Sequence, residues 1–324
     1  MQRREFIVGL GAAITGSIGT NAQELQPVPL VGYLDDGPAE GFISRQVVFR
    51  KGLAQVDYFE GFNVAIEAHR ARFPEWAGDL VDRGVAVLVA SYNTEAILAA
   101  KAATTTIPIV FGCGADPVET GLVSSLDHPG GNITGVTSMT ADIGSKRLGL
   151  LRDLLPRATR VAALIDPNDD PTVVKSMIAD VRVAAIPIGR EIEVFYAGDV
   201  GDIEPAFASL AEKRSEVLLV SPSSFLSSHR IEIVAPAAQH RVPALYFARD
   251  FAEAGGLMSY GANIPDHYRQ LGIYAGRILN GQKPGDLPVR RATRLEFVIN
   301  LKTAKALGLT IPQTLLATAD EVIQ

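Results

Sequence analysis

One pattern occurs twice in this 324-residue chain, and it leaves few folds open. A strand-like apolar run leads into a turn of small polar residues, then a helix-like span, then a second strand marked by proline. The first copy runs from Val85 to Ala90, through Ser91, Tyr92, Asn93 and Thr94, along a helical span to Thr106, and into Ile107 to Phe111. The second runs from Val217 to Val220, through Ser221, Pro222, Ser223 and Ser224, along a helical span to Arg241, and into Val242 to Phe247. Each copy is a βαβ unit, which requires parallel strands with a helix crossing over the sheet. Two such units far apart in one chain point to two similar lobes with a ligand between them.

The residues around both copies extend the alternation. Pro27 to Leu34 reads as a strand with Asp35 at its tip, Phe42 to Tyr58 as a helix, Asn63 to Ala68 as a strand and Trp76 to Gly84 as a helix. Asp116 to Leu126 is expected to be helical, and Asn132 to Val136 resumes a strand that ends near Thr137. A second series of helices and strands runs from Ala141 to Tyr260. Alternation of this kind predicts a doubly wound parallel sheet in each lobe. Residues 262–324 are too few for a third domain and must pack back onto the lobes. The expected fold class is therefore α/β: two doubly wound parallel-sheet lobes joined by a hinge that the chain crosses more than once. Lobe 1 is assigned 28–138 and 262–298, and lobe 2 is assigned 139–261 and 299–324.

Composition narrows the function. Hydrophobic residues make up 47% and charged residues 20%, so the chain can build sizeable cores. The net charge is −6 with no basic run, which argues against nucleic acid as a partner. The first 22 residues read as an export signal: Arg3 and Arg4, a short apolar stretch from Phe6 to Ile18, and a small-residue cleavage site at Thr20 to Ala22. Arg3, Arg4, Phe6 and Ile7 also approximate the twin-arginine signal. No other segment is long and apolar enough to span a membrane. The single cysteine, Cys113, precludes an intrachain disulfide and reads as a small buried hydrophobe.

In open parallel sheets, ligands bind beyond the carboxyl ends of the strands, where helix N-termini present unpaired N–H groups. Ser91, Tyr92, Asn93 and Thr94 stand at one such end, and Ser221 and Ser223 at the matching one. The same residue types also cap helices routinely, so each has a purely structural reading beside the ligand one. Gly112 and Gly114 permit close backbone approach, and Asp116 stands where a carboxylate meets a ligand amine or caps the next turn. Asp35, Thr137, Asp166, Asn168 and Asp250 lie at or near other strand ends. Tyr33, Phe225 and Phe247 offer apolar paving, or else belong to the core. The histidines show no metal-ligand spacing, and the acidic clusters do not follow the EF-hand pattern. Neither a nucleophile elbow nor a phosphate-binding glycine loop is present, so no cofactor and no catalytic set is expected.

Several blocks carry a resemblance to a known family. They are residues 102–111 (Ala-Ala-Thr-Thr-Thr-Ile-Pro-Ile-Val-Phe), Asp116-Pro117-Val118, 121–126 (Gly-Leu-Val-Ser-Ser-Leu), 129–135 (Pro-Gly-Gly-Asn-Ile-Thr-Gly), 255–261 (Gly-Gly-Leu-Met-Ser-Tyr-Gly) and 300–309 (Asn-Leu-Lys-Thr-Ala-Lys-Ala-Leu-Gly-Leu). In this order the chain resembles the ABC-transporter substrate-binding proteins of the tryptophan/tyrosine-binder type. The resemblance implies a type I periplasmic-binding-protein fold with three crossovers and a small-molecule ligand in the cleft; with the export signal, the expected form is a monomer in the periplasm. It further implies delivery to an ABC permease in the inner membrane. Carried over by position, Ser91, Asn93 and Thr94 match the turn that holds a ligand carboxylate, and Asp116 matches the aspartate of the Asp-Pro-Val block. The turn departs from the family's usual Gly-Thr-Pro-like residues by placing Tyr92 there. The expected function is a periplasmic solute-binding protein for an amino acid or related carboxylate. The alternatives are a ligand-sensing module for a membrane receptor and, from a third class, a hydrolase or isomerase.

Overall fold

A computed structural model describes residues 28–35, 39–91, 94–138, 143–169, 171–291 and 294–324. The first part of the chain lays down β1 (Leu30–Asp35), α1 (Ala39–Ala54), β2 (Ala65–His69), α2 (Phe73–Asp82), β3 (Val87–Ser91), α3 (Thr94–Ala103), β4 (Ile109–Cys113) and β5 (Ile133–Thr137). The second part follows with α4 (Ile143–Leu154), β6 (Arg160–Ile165), α5 (Pro171–Ala185), β7 (Glu191–Tyr196), α6 (Val200–Glu212), β8 (Val217–Val220), α7 (Ser224–Ser228), α8 (Arg230–Gln239), β9 (Ala244–Tyr246), α9 (Arg249–Glu253) and β10 (Met258–Ala262). The remainder supplies α10 (Ile264–Leu279), β11 (Arg290–Arg291), β12 (Leu295–Asn300), α11 (Leu301–Leu307), α12 (Gln313–Thr318) and β13 (Glu321–Ile323).

Two sheets result. The first has the order β11-β5-β4-β3-β1-β2 and the second β13-β12-β10-β9-β8-β6-β7. Every pairing is parallel except that of β10 with β12. Strand side chains divide between two helical layers, as period-two alternation on a sheet covered on both faces requires. On β1 and β3, Val31, Tyr33, Val87 and Val89 pack toward α1 and α10. Leu34, Leu88 and Ala90 pack the other way, against α2 and α3. Lobe 2 repeats the plan, with Leu164, Leu218 and Val220 facing α6 and α8, and Val161, Val217 and Leu219 facing α4 and α12.

The chain passes between the lobes three times: after β5, after β10 and after β11. Helix α10 follows a lobe-2 strand yet closes the lobe-1 core, packing Tyr268, Leu271 and Ile278 with Phe49 and Leu53 of α1. The two helices touch at backbone distance. A Cβ on Gly52 would lie 2.0 Å from the Arg269 carbonyl oxygen, and one on Gly272 would lie 2.1 Å from that of Phe49.

Three details differ from the sequence expectations. Residues 116–126 form turns instead of a helix, because Gly121 adopts φ +68° and Ser124 and Ser125 donate to the carbonyls of His128 and Pro129. The helical span of the second βαβ unit breaks into α7 and α8 at His229. Strand β12 lies inside the 262–298 span assigned to lobe 1, yet it pairs with β10 and β13 in the second sheet. The last passage therefore precedes residue 295.

Candidate functional site

In each sheet one strand has its sequence neighbours on opposite sides: β1 lies between β2 and β3, and β6 between β7 and β8. A crevice opens at the carboxyl end of such a switch point. Here the switch-point ends are Asp35 and Ser91, which are register partners, and Ile165 and Val220, which are followed by Asp166 and Ser221. The two crevices face each other, and between them lies a cavity of ≈ 180 Å³. Lobe 1 contributes Ser91, Thr94, the 112–115 backbone, Ser138, Ile264, His267 and Tyr268. Lobe 2 contributes Arg147, Asp169, Met177, Pro222, Ser223, Ser224 and Phe247. Phe247, Ile264 and Tyr268 also wall a second chamber of ≈ 510 Å³, formed between Arg45 of α1 and the Arg230, Arg249 and Asp250 region of lobe 2.

The lobe-1 floor is polar and crowded. The Ser91 hydroxyl and His267 Nδ1 are buried and have no hydrogen-bond partner among the described residues. Both side chains press on Gly112, where a Cβ would meet the Ser91 oxygen at 2.6 Å and His267 Nε2 at 2.5 Å. A side chain there would have to displace one of them. Burial pushes the His267 imidazole down to about 4, so it is neutral at pH 7. Burial also pushes the Cys113 thiol up to about 12, leaving an inert apolar lining group.

In lobe 2, Ser223 is positioned before it is exposed to anything. Its hydroxyl donates to Asp166 Oδ2 at 2.7 Å and accepts the Leu226 N–H at 3.2 Å, capping α7. Asp166 Oδ1 accepts the Asn168 N–H at 2.9 Å, and Asn168 Nδ2 donates to the Gly198 carbonyl at 2.8 Å. Arg147, 4% exposed, donates from Nε to the Tyr260 carbonyl at 2.7 Å. Desolvation lowers its guanidinium to about 10, so it remains charged at neutral pH.

The structure thus brings Ser91, Thr94, Gly112, Gly114, Ser223 and Phe247 to the main cavity, and Asp250 to the exposed rim of the second chamber. Other candidates stand elsewhere. Tyr33 and Asp35 are fully buried behind the wall, where Asp35 is gripped by Arg45 with contacts of 2.9–3.2 Å and accepts the Tyr33 hydroxyl at 3.0 Å. Asp116 turns back to accept the N–H groups of Val118 and Glu119, and the Thr137 hydroxyl braces the Ala115 carbonyl at 2.9 Å. Asp166 stands one layer behind Ser223, and Asn168 is exposed beyond it. Phe225 packs against His229, with ring centroids 4.5 Å apart. Ser221 lines a small recess beside the main cavity. Tyr92 and Asn93, like residues 1–22 that are expected to form an export signal, lie outside the described residues.

Sequence reasoning missed Arg147, Met177, His267 and Tyr268. They sit on helices whose approach to the cleft depends on which lobe each helix joins. His267 and Tyr268 reach lobe 1 only because the chain crosses back after β10. A periodicity pattern carries no sign of that return.

Comparison with known proteins agrees with this architecture. Residues 43–323 match the family described as ABC transporter substrate binding protein. A tyrosine-binding protein of Clostridioides difficile (strain R20291) is 28% identical over 274 residues, spanning 81% of this chain and 75% of the relative. Among solved structures, a conserved domain protein from Vibrio cholerae superposes with a TM-score of 0.83 at 27% identity, over 91% of this chain and 99% of its own. An ABC domain from Streptococcus pneumonia in complex with L-Trp gives a TM-score of 0.81 at 25% identity, over 91% and 99% respectively.

Proposed function

This chain belongs to the family of ABC transporter substrate binding proteins, and from that premise we propose that it traps an amino acid or related small carboxylate between its lobes. The observation that carries the reading is the cavity at the meeting of two switch points, whose floor holds polar atoms without a hydrogen-bond partner among the described residues. Relatives named for tyrosine binding and for an L-Trp complex support the ligand class. Phe247, Ile264 and Tyr268 offer the apolar faces such a ligand needs. In this reading the mature protein works in the periplasm after removal of the leader. Closure of the lobes holds the ligand, and the closed form hands it unaltered to an inner-membrane ABC permease. The residues that would touch it are Ser91, Thr94, Gly112, Gly114, Ser223 and Phe247, together with Tyr92 and Asn93 of the adjoining turn.

A thermal-shift panel of the standard amino acids and short carboxylates tests this directly. A true ligand at a hundred times its Kd stabilises the folded protein by about 2.7 kcal/mol, which raises Tm by several degrees. If no compound moves the transition at millimolar concentration, the amino-acid and carboxylate reading is wrong.

A further inference from the structure

Beside the main cavity, between α4, α5 and the ends of β6 and β8, is a recess of ≈ 40 Å³. Arg147, Met177 and Pro222 wall both spaces, so the recess is a side room of the ligand cavity. Two polar groups in it lack what burial normally demands. Arg147 is a buried cation whose hydrogen bond to the Tyr260 carbonyl satisfies a single N–H, and among the described residues no carboxylate pairs with it. Asp169 on the cavity wall and Asp180 in the recess are the nearby acids, and each has interactions of its own. The Ser221 hydroxyl in the same recess is buried with no hydrogen-bond partner among the described residues.

A guanidinium taken out of water without a counter-charge is costly, and it persists where a partner arrives later. Its planar fork matches a carboxylate, and a hydroxyl beside it supplies one more donor. Among the described residues the lobe-1 floor carries no comparable positive charge, since His267 is neutral. We propose that Arg147 and Ser221 form the seat for the ligand's anionic group, so that the ligand is an organic carboxylate bound with its carboxylate toward lobe 2 and not on the turn of Ser91, Asn93 and Thr94 that the family resemblance implies. Ser91 and His267 then meet its uncharged polar end. This inference rests on the ligand-trapping reading above and adds the orientation and the charge requirement.

The test pairs each carboxylate in the panel with its primary carboxamide, measured by calorimetry on the full mature protein and on Arg147→Gln, Arg147→Lys and Ser221→Ala. Loss of a buried charge-assisted pair predicts that wild type prefers the carboxylate by roughly 30-fold or more. In Arg147→Gln that preference falls to within about threefold, and Arg147→Lys retains part of it. A carboxylate preference that survives in Arg147→Gln overturns the proposal and leaves ligand trapping intact. A ligand-independent readout separates the two ideas. If Arg147 is an unpaired seat, Arg147→Met raises Tm of the ligand-free protein by roughly 2–4 °C. If Tm of Arg147→Met falls instead, Arg147 is a structural cation and the proposal fails. That measurement decides the matter even if no probe binds wild type.

Discussion

His267 illustrates how one buried side chain links stability to the site. Its folded-state value of about 4 lies below the ordinary 6.5, so protonation is resisted in the folded state and accepted readily in the unfolded one. The stabilisation is complete above pH 6.5 and is lost as pH falls from 6.5 toward 4. The shift corresponds to roughly 3 kcal/mol across that window. Denaturant titrations at several pH values are expected to show this slope in wild type and to lose most of it in His267→Gln. An unchanged slope in the variant would place the acid sensitivity elsewhere. At this scale, legibility followed geometry. Ser91 and Ser223 were readable because the first ends a recognisable strand and the second caps the helix that follows one, and those positions put them at a crevice. Asp35 has the same placement but a different fate, because Arg45, ten residues on, reaches back from α1 and neutralises it. Arg147 was hidden among the charges of an ordinary amphipathic helix.

Elements cooperate most closely where α1 crosses α10. With Gly52 and Gly272 at the crossing, the obstacles facing an added methyl are backbone atoms, which cannot rotate aside. Gly272→Ala is therefore expected to cost about 3 kcal/mol despite alanine's better helix propensity, as overpacking a close contact does. It should also weaken ligand binding, since α1 carries Arg45 and α10 carries His267 and Tyr268 at the cleft. Urea melts and a binding titration of the variant check both; near-wild-type stability would show that the helices can part without cost. The elements themselves were largely visible in the sequence, since period-two and period-3.6 patterns dictate which face is buried. Partner choice was not. Strand β12 is apolar and short in either lobe, and only its antiparallel pairing with β10 assigns it to the second sheet.

For the whole molecule, three passages between lobes mean that neither sheet is built from one continuous stretch. Lobe 1 needs α10 and β11, while lobe 2 needs β12 and β13, and all four come from the last part of the chain. Differential scanning calorimetry of the ligand-free protein is accordingly expected to give one transition, with calorimetric and van't Hoff enthalpies in agreement. Two resolved peaks would show that the lobes unfold separately. The same threading has a consequence for biosynthesis. The α1 face that buries Phe49 and Leu53 has no cover until α10 is made, after the strands β6 to β10 of the other lobe. At about 5–20 residues per second, that face waits roughly 10–40 s for its partner helix, long enough for a nascent-chain chaperone to find it first.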